Sequence, residues 1–222
     1  MITFLTVLKS GNSESKTGYP SYQPVHVYAL REQIRRHYSK PHNFVCLTDF
    51  DGLLCDSIPL INDLPGWWSK IELFRPDIYK SILNNTIVYF DLDTYINGNI
   101  TEFVDYPHIF SALHDPSDRP ITPNRLWSGV MAWRGNQSDI YNQFINNQSW
   151  NMERSKLAGD QQLINDLRPN FYPIQSNFSG FVGYKEEFRE DAKVIYFYGE
   201  DKPWLVNDSW IDKSLYDLSQ YQ

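Results

Sequence analysis

Apolar and polar positions fall into runs that predict an ordered succession of strands and helices. Residues 2–8, Ile-Thr-Phe-Leu-Thr-Val-Leu, form a largely apolar run that reads as a buried strand. Residues 9–23 are polar and carry Gly and Pro, predicting a loop long enough to act as a lid or stay disordered. Pro24 suits the first turn of a helix, which the spacing of Val27, Leu30, Ile34 and His37 carries to about residue 38. Residues 43–48 return as a strand, and a β-helix-β opening predicts a parallel α/β sheet. Residues 49–66 read as irregular, 67–74 and 76–83 as helices, and 86–90 as a strand. Further strands are expected at 109–113, 126–133 and 193–198, and further helices at 138–145 and 157–167. No repeat, low-complexity tract or linker divides the chain, so the expectation is one α/β domain over 1–222.

Composition narrows the function classes. A chain of 222 residues with 41% apolar and 16% aromatic positions can bury a substantial core. Its Trp and Tyr residues suit stacking on sugars or bases as well as packing. A net charge of −7 argues against a nucleic-acid partner, whose phosphates demand basic surface, while leaving room for a local basic pocket. Cys46 and Cys55 provide neither a disulfide framework nor a metal cluster and read as reduced, partly buried thiols. The apolar start lacks a basic flank and is too short for a signal peptide, and no apolar run approaches the ~20 residues of a membrane span. A cytoplasmic protein without an integral membrane segment is expected. Sequons such as Asn99-Ile100-Thr101 read as chance in an Asn-rich chain.

The stretch Ile87-Val88-Tyr89-Phe90-Asp91-Leu92-Asp93-Thr94 carries the clearest chemistry. It reads as an apolar strand ending in two carboxylates one residue apart. Alternate residues of a strand share a face, so Asp91 and Asp93 are expected to aim at one point. Two hard oxygen ligands there suit Mg²⁺ or Mn²⁺ holding a phosphorylated substrate. The plainer alternative is an Asx-turn pair that ends the strand. Open α/β sheets bind ligands at the carboxyl ends of their strands. Thr6-Val7-Leu8, Thr48-Asp49, His114-Asp115 and Tyr198-Gly199 fall at or just past such ends too.

Two families share an Asp-x-Asp of this kind. Asp91-Leu92-Asp93, followed by Lys156 and Gly159-Asp160, resembles in part the haloacid-dehalogenase-type phosphatases, which would make Asp91 a phosphorylated nucleophile. More of the chain resembles the GT-A glycosyltransferases. The matching pieces are Thr6-Val7 at the first strand end, Trp68-Ser69-Lys70-Ile71-Glu72-Leu73-Phe74, the Asp-x-Asp itself, and Ser128-Gly129-Val130-Met131. Two later pieces complete the order: Gly159-Asp160-Gln161-Gln162-Leu163-Ile164-Asn165 and Tyr196-Phe197-Tyr198-Gly199-Glu200-Asp201-Lys202-Pro203-Trp204. The last two are similar to the Asp-Gln helix and the closing His-x-x-Gly-x-x-Lys-Pro-Trp motif of glycosyltransferase family 8, which includes glycogenin and bacterial galactosyltransferases.

The resemblance implies a single Rossmann-like GT-A domain with a mostly parallel central sheet flanked by helices. It implies a metal-dependent transfer of a hexose from a nucleoside-diphosphate sugar, UDP favoured and GDP also compatible, to a glycan or other hydroxyl acceptor. Asp91 and Asp93 would hold Mn²⁺ or Mg²⁺. Thr6, Val7, Lys70, Tyr198, Gly199 and Lys202 would join them in binding the donor. Asp160 and Gln161 would act on the sugar as the catalytic pair. Loop 9–23 could then close over the donor. Two positions depart from the pattern: Tyr196 replaces the metal-binding His, and Trp127 replaces an Asn. The first also leaves open a sugar-nucleotide-binding module without catalysis. His114-Asp115 could supply a base or acceptor contact, and Trp67, Trp68 and Trp127 could stack on sugars or pack the core. His26, His37, His42 and His108 show no ligand spacing.

Overall fold

The apolar runs at residues 2–8 and 86–90 become the two adjacent middle strands of a seven-stranded sheet. The computed structural model describes residues 1–11, 22–81, 85–115, 125–156, 159–184 and 191–221. The strands are β1 (Ile2–Leu8), β2 (His42–Thr48), β3 (Asp56–Pro59), β4 (Thr86–Phe90), β6 (Phe110–His114), β7 (Leu126–Arg134) and β8 (Tyr172–Pro173), in the spatial order β3-β2-β1-β4-β7-β6-β8. β3, β2, β1 and β4 run parallel, β7 runs antiparallel to both β4 and β6, and β8 is parallel to β6. The expected mostly parallel α/β sheet is therefore present. A second sheet joins β5 (Thr94–Ile96), β10 (Val194–Tyr196) and β9 (Phe181–Gly183) in that order.

Alternation along the strands divides the core between the two faces of the main sheet. Phe4, Leu8, Val88, Phe90 and Ala132 pack with Val27, Leu30 and Ile34 of helix α1 (Pro24–His37). Leu5, Ile87, Tyr89, Met131 and Trp133 pack on the other face. There they meet α4 (Ser138–Asn146), α6 (Asp160–Leu167) and a 3₁₀ helix over Gly66–Phe74. The remaining helices are short: α2 (Pro76–Ser81), α3 (Thr101–Asp105), α5 (Gln148–Arg154) and α7 (Ile174–Asn177).

Several expectations need correction. The region 49–66 contains β3, a four-residue edge strand whose Ser57 and Pro59 weaken its strand signal. The helix expected at 67–74 is present as a 3₁₀ helix over Gly66–Phe74. The strand expected at 193–198 covers only Val194–Tyr196, because Tyr198 and Gly199 already belong to a turn-forming loop. Residues 12–21 of the expected lid, 82–83 of the second helix and 157–158 of the late helix lie outside the described residues.

Candidate active site

Charge gathers at the carboxyl end of β4. The strand stops at Phe90, and Asp91-Leu92-Asp93 form a turn closed by the Thr94 N–H donating to the Asp91 carbonyl (3.0 Å). The Asp91 N–H donates to the Gly129 carbonyl of β7 (2.8 Å). The two aspartates thus do not share a strand face, as their spacing suggested. The turn hands them to different partners. Asp91 accepts from Lys70 Nζ (2.9 Å) and from the Tyr89 hydroxyl. Asp93 Oδ2 accepts from Lys202 Nζ (2.6 Å) and the Tyr22 hydroxyl (2.9 Å).

The 3₁₀ helix explains the reach of Lys70. With three residues per turn, positions three apart lie above one another. Trp68, Ile71 and Phe74 form its buried line, with Trp68 stacked on Phe144 of α4 (centroids 5.1 Å apart). Trp67 and Lys70 belong to a different line. Lys70 Nζ also donates to Ser128 Oγ (3.2 Å) and stands 3.9 Å from Asp160 Oδ2. Asp160 is the first residue of α6 after the N-cap Gly159, and its Oδ2 is buried without a hydrogen bond among the described residues.

Burial shapes the ionisation of this cluster. It pushes the Asp91 carboxyl up to about 6 against the opposing pull of Lys70, and it raises Asp160 as well. Burial also works against the Lys70 charge, but Asp160 and Asp91 outweigh it and hold the ammonium above its ordinary range. Burial first, and then the neighbouring carboxylates, raise Tyr22 and Tyr89 far above the usual phenol, so both remain hydrogen-bond donors.

The other expected residues fall in varied places. Gly199 has φ of +69°, in the left-handed region that glycine takes freely. Tyr198 meets Trp127 edge to face, with centroids 5.7 Å apart. Gln161 is half-buried on the first turn of α6. The Thr6 hydroxyl donates to the Phe90 carbonyl (3.0 Å), bracing β1 against the end of β4. Val7 is partly buried against the core. Lys156 is on the surface, paired with Glu153 (2.8 Å).

Tyr196 is buried in β10, where its hydroxyl accepts from Gln175 Nε2 (3.1 Å). Gln175 also brackets the His114 backbone, accepting from its N–H and donating to its carbonyl (2.9 Å each). No group of three His, Cys, Asp or Glu that could hold a metal occurs among the described residues. Asp91 and Asp93, each paired to a lysine here, supply two carboxylates; a Mg²⁺-type ion is commonly bound by one or two and completes its shell with substrate phosphate and water.

Sequence reasoning missed Tyr22, Tyr89 and His26. Tyr89 was legible, standing two residues before Asp91 on β4. Tyr22 and His26 were not, because Asp93 and Trp204, which place them at the site, are distant in sequence. The His26 ring stacks on Trp204 at 3.8 Å, its Nδ1 accepts from the Gln23 N–H (2.9 Å), and burial lowers its pKa to about 4.

No protein-family profile matches the chain, and no curated protein sequence matches it. Solved structures do match in fold. The glycosyltransferase GlyE of Streptococcus pneumoniae TIGR4 superposes with a TM-score of 0.63 at 14% identity, covering 99% of this chain and 62% of that one. The galactosyltransferase LgtC, solved in complex with donor and acceptor sugar analogs, gives 0.60 at 11% identity over 96% of this chain and 93% of its own. The bifunctional glycosyltransferase WbbM gives 0.59 at 13%, with 97% of this chain matching 48% of that one. The chain therefore spans less than two thirds of GlyE and about half of WbbM, but nearly all of LgtC. It has the fold of these glycosyltransferases, the α/β GT-A architecture expected above.

Proposed function

We propose that the protein transfers a hexose from a nucleoside-diphosphate sugar, with UDP the favoured nucleotide, to a hydroxyl acceptor such as a glycan. The observation that carries this reading is the pairing of two lysines from distant elements, the largely buried Lys70 and the buried Lys202, with the two aspartates at the end of β4. Such an arrangement suits a diphosphate. Breaking the bond between anomeric carbon and diphosphate oxygen leaves negative charge on the leaving group, and ammonium groups held in a low-dielectric site stabilise it.

Each residue then has a role. Lys202 and the backbone around Gly199 face the diphosphate, glycine allowing close approach. Lys70, held by Asp91, Ser128 and Asp160, supplies the second positive charge. Asp160 accepts hydroxyl hydrogen bonds from the transferred sugar, and Gln161 can donate to or accept from the same ring. Asp91 and Asp93 would hold Mn²⁺ or Mg²⁺, which when bound neutralises diphosphate charge as a Lewis acid. Tyr22 and Tyr89 keep the two carboxylates oriented.

Release of UDP from UDP-glucose, UDP-galactose and their N-acetylated forms, with Mn²⁺ present, tests the reading. Turnover of at least one donor is the expected result. Phosphate release from simple phosphate esters without any UDP release would replace it with the phosphatase reading.

A further inference from the structure

Trp127 lies on β7 two residues before Gly129, whose carbonyl receives the Asp91 N–H. Its indole packs partly buried against the core face that holds α1 and meets Tyr198 edge to face, so the ring is held from two sides. The indole N–H makes no hydrogen bond among the described residues. Nor is it one of their enclosed unsatisfied atoms, so it is open to solvent. An indole nitrogen only donates, and the group that fits it is therefore an acceptor.

Gly129 shows where that N–H stands. A Cβ built on Gly129 would fall 3.0 Å from Trp127 Nε1 and 3.4 Å from Asp91 Oδ2. The N–H edge and the carboxylate thus border one small space, kept clear because residue 129 has no side chain. The φ of Gly129 is outside the left-handed region, so the backbone would accept alanine and only the space requires glycine. The Asp91 side chain is 24% exposed. A carboxylate has about four acceptor sites, and Lys70 and Tyr89 each take one here.

A donor and an acceptor side by side match a hydroxyl, which accepts from the one and donates to the other. A phosphate oxygen only accepts, and it carries the same charge as Asp91. We propose that Trp127 is a specificity-determining residue for the donor sugar: its indole N–H donates to a hexose hydroxyl that in turn donates to Asp91 Oδ2 above Gly129. This rests on the donor reading above, in which the diphosphate lies with Lys202 and Gly199. It adds the contact by which the site recognises the hexose itself.

Calorimetry with UDP and with UDP-glucose, UDP-galactose and their N-acetylated forms, in Mn²⁺, tests it on the wild type, Trp127→Phe and Gly129→Ala. Phenylalanine keeps a ring beside Tyr198 and removes the N–H. For the UDP-sugar that the wild type binds best, Trp127→Phe should weaken binding about five- to tenfold while UDP stays within about twofold. Gly129→Ala puts a methyl group into the space and should show the same split. UDP binding retained in the same sample reports an intact site, so a loss confined to the sugar nucleotide does not come from unfolding. UDP and UDP-sugar weakened together would make Trp127 a packing residue and overturn the assignment. UDP-sugar affinity unchanged in both variants would overturn it too, with the donor reading left standing. No UDP binding by the wild type would discard the donor reading and this contact with it.

Discussion

Lys202 shows how the functional and structural demands on one residue coincide. Its ammonium and the Asp93 carboxylate are both nearly buried, 6% and 10% exposed, and 2.6 Å apart. Removing one partner of such a pair leaves the other charge uncompensated. Lys202→Met is therefore expected to cost roughly 3–5 kcal/mol in urea unfolding and to weaken UDP affinity tenfold or more in calorimetry. A lysine that only packed would show the first effect without the second. At this scale the sequence was partly legible. Asp91, Asp93, Lys70, Asp160 and Lys202 were all nominated from motif order, and the fold brings them to one cluster. The turn that separates the aspartates was not legible, because an Asp-x-Asp can either continue a strand or end it. Thr6 shows the opposite limit: its position was foreseen, but a hydroxyl can serve the fold as readily as a ligand, and here it holds the Phe90 carbonyl.

Among the elements, the 3₁₀ helix Gly66–Phe74 governs the site. Nine residues is long for this geometry, which bonds poorly over more than a turn or so. A buried ion pair anchors its end. Glu72 is fully buried, and its carboxylate accepts from Arg75 Nη1 (2.7 Å) and from the N–H groups of Ile61 (2.8 Å) and Asn62 (2.9 Å). Arg75 in turn donates to the Pro59 carbonyl (2.8 Å), tying the helix to the end of β3. Glu72→Ala would strand two N–H groups and take one of two carboxylates from Arg75, leaving it Asp77 (2.8 Å) and the Pro59 carbonyl. It is expected to destabilise the fold by roughly 3–5 kcal/mol, read from the shift of the urea midpoint at unchanged slope. The sequence read this segment as a helix, but eight residues cannot distinguish a period of 3.6 from one of 3.0. The distinction matters, because the shorter period is what aligns Trp67 with Lys70.

For the whole molecule, the two-faced core makes stability depend on pH through two buried histidines, one beside the carboxylate-lysine cluster and one remote from it. Burial lowers both His26 and His108 to about 4, from an ordinary value of 6.5. His108 is neutral between Ser111 Oγ and the Phe103 carbonyl (2.7 Å each). A ring whose folded pKa is depressed takes its proton more readily when unfolded. The stability it contributes is complete above 6.5 and drains away as pH falls toward 4. Each ring should cost roughly 3 kcal/mol across that window. Melting temperature is accordingly expected to fall steeply between pH 6.5 and 4, and less steeply in His108→Gln. The sheet order, the antiparallel β7 and the small second sheet were not legible, since pairing partners leave no mark in a single sequence. The runs at 2–8, 86–90 and 126–133 were legible because long apolar stretches leave little alternative to a buried strand.

The central claim is that the carboxylate-lysine cluster at the end of β4 holds a nucleoside diphosphate. Calorimetric titration of UDP with and without Mn²⁺, on the wild-type chain and on Asp93→Asn, tests it most directly. The account expects UDP to bind the wild type, more tightly with Mn²⁺, and the metal-dependent part of that affinity to disappear in Asp93→Asn. No UDP binding under either condition, or a Mn²⁺ effect that survives the substitution intact, would contradict it.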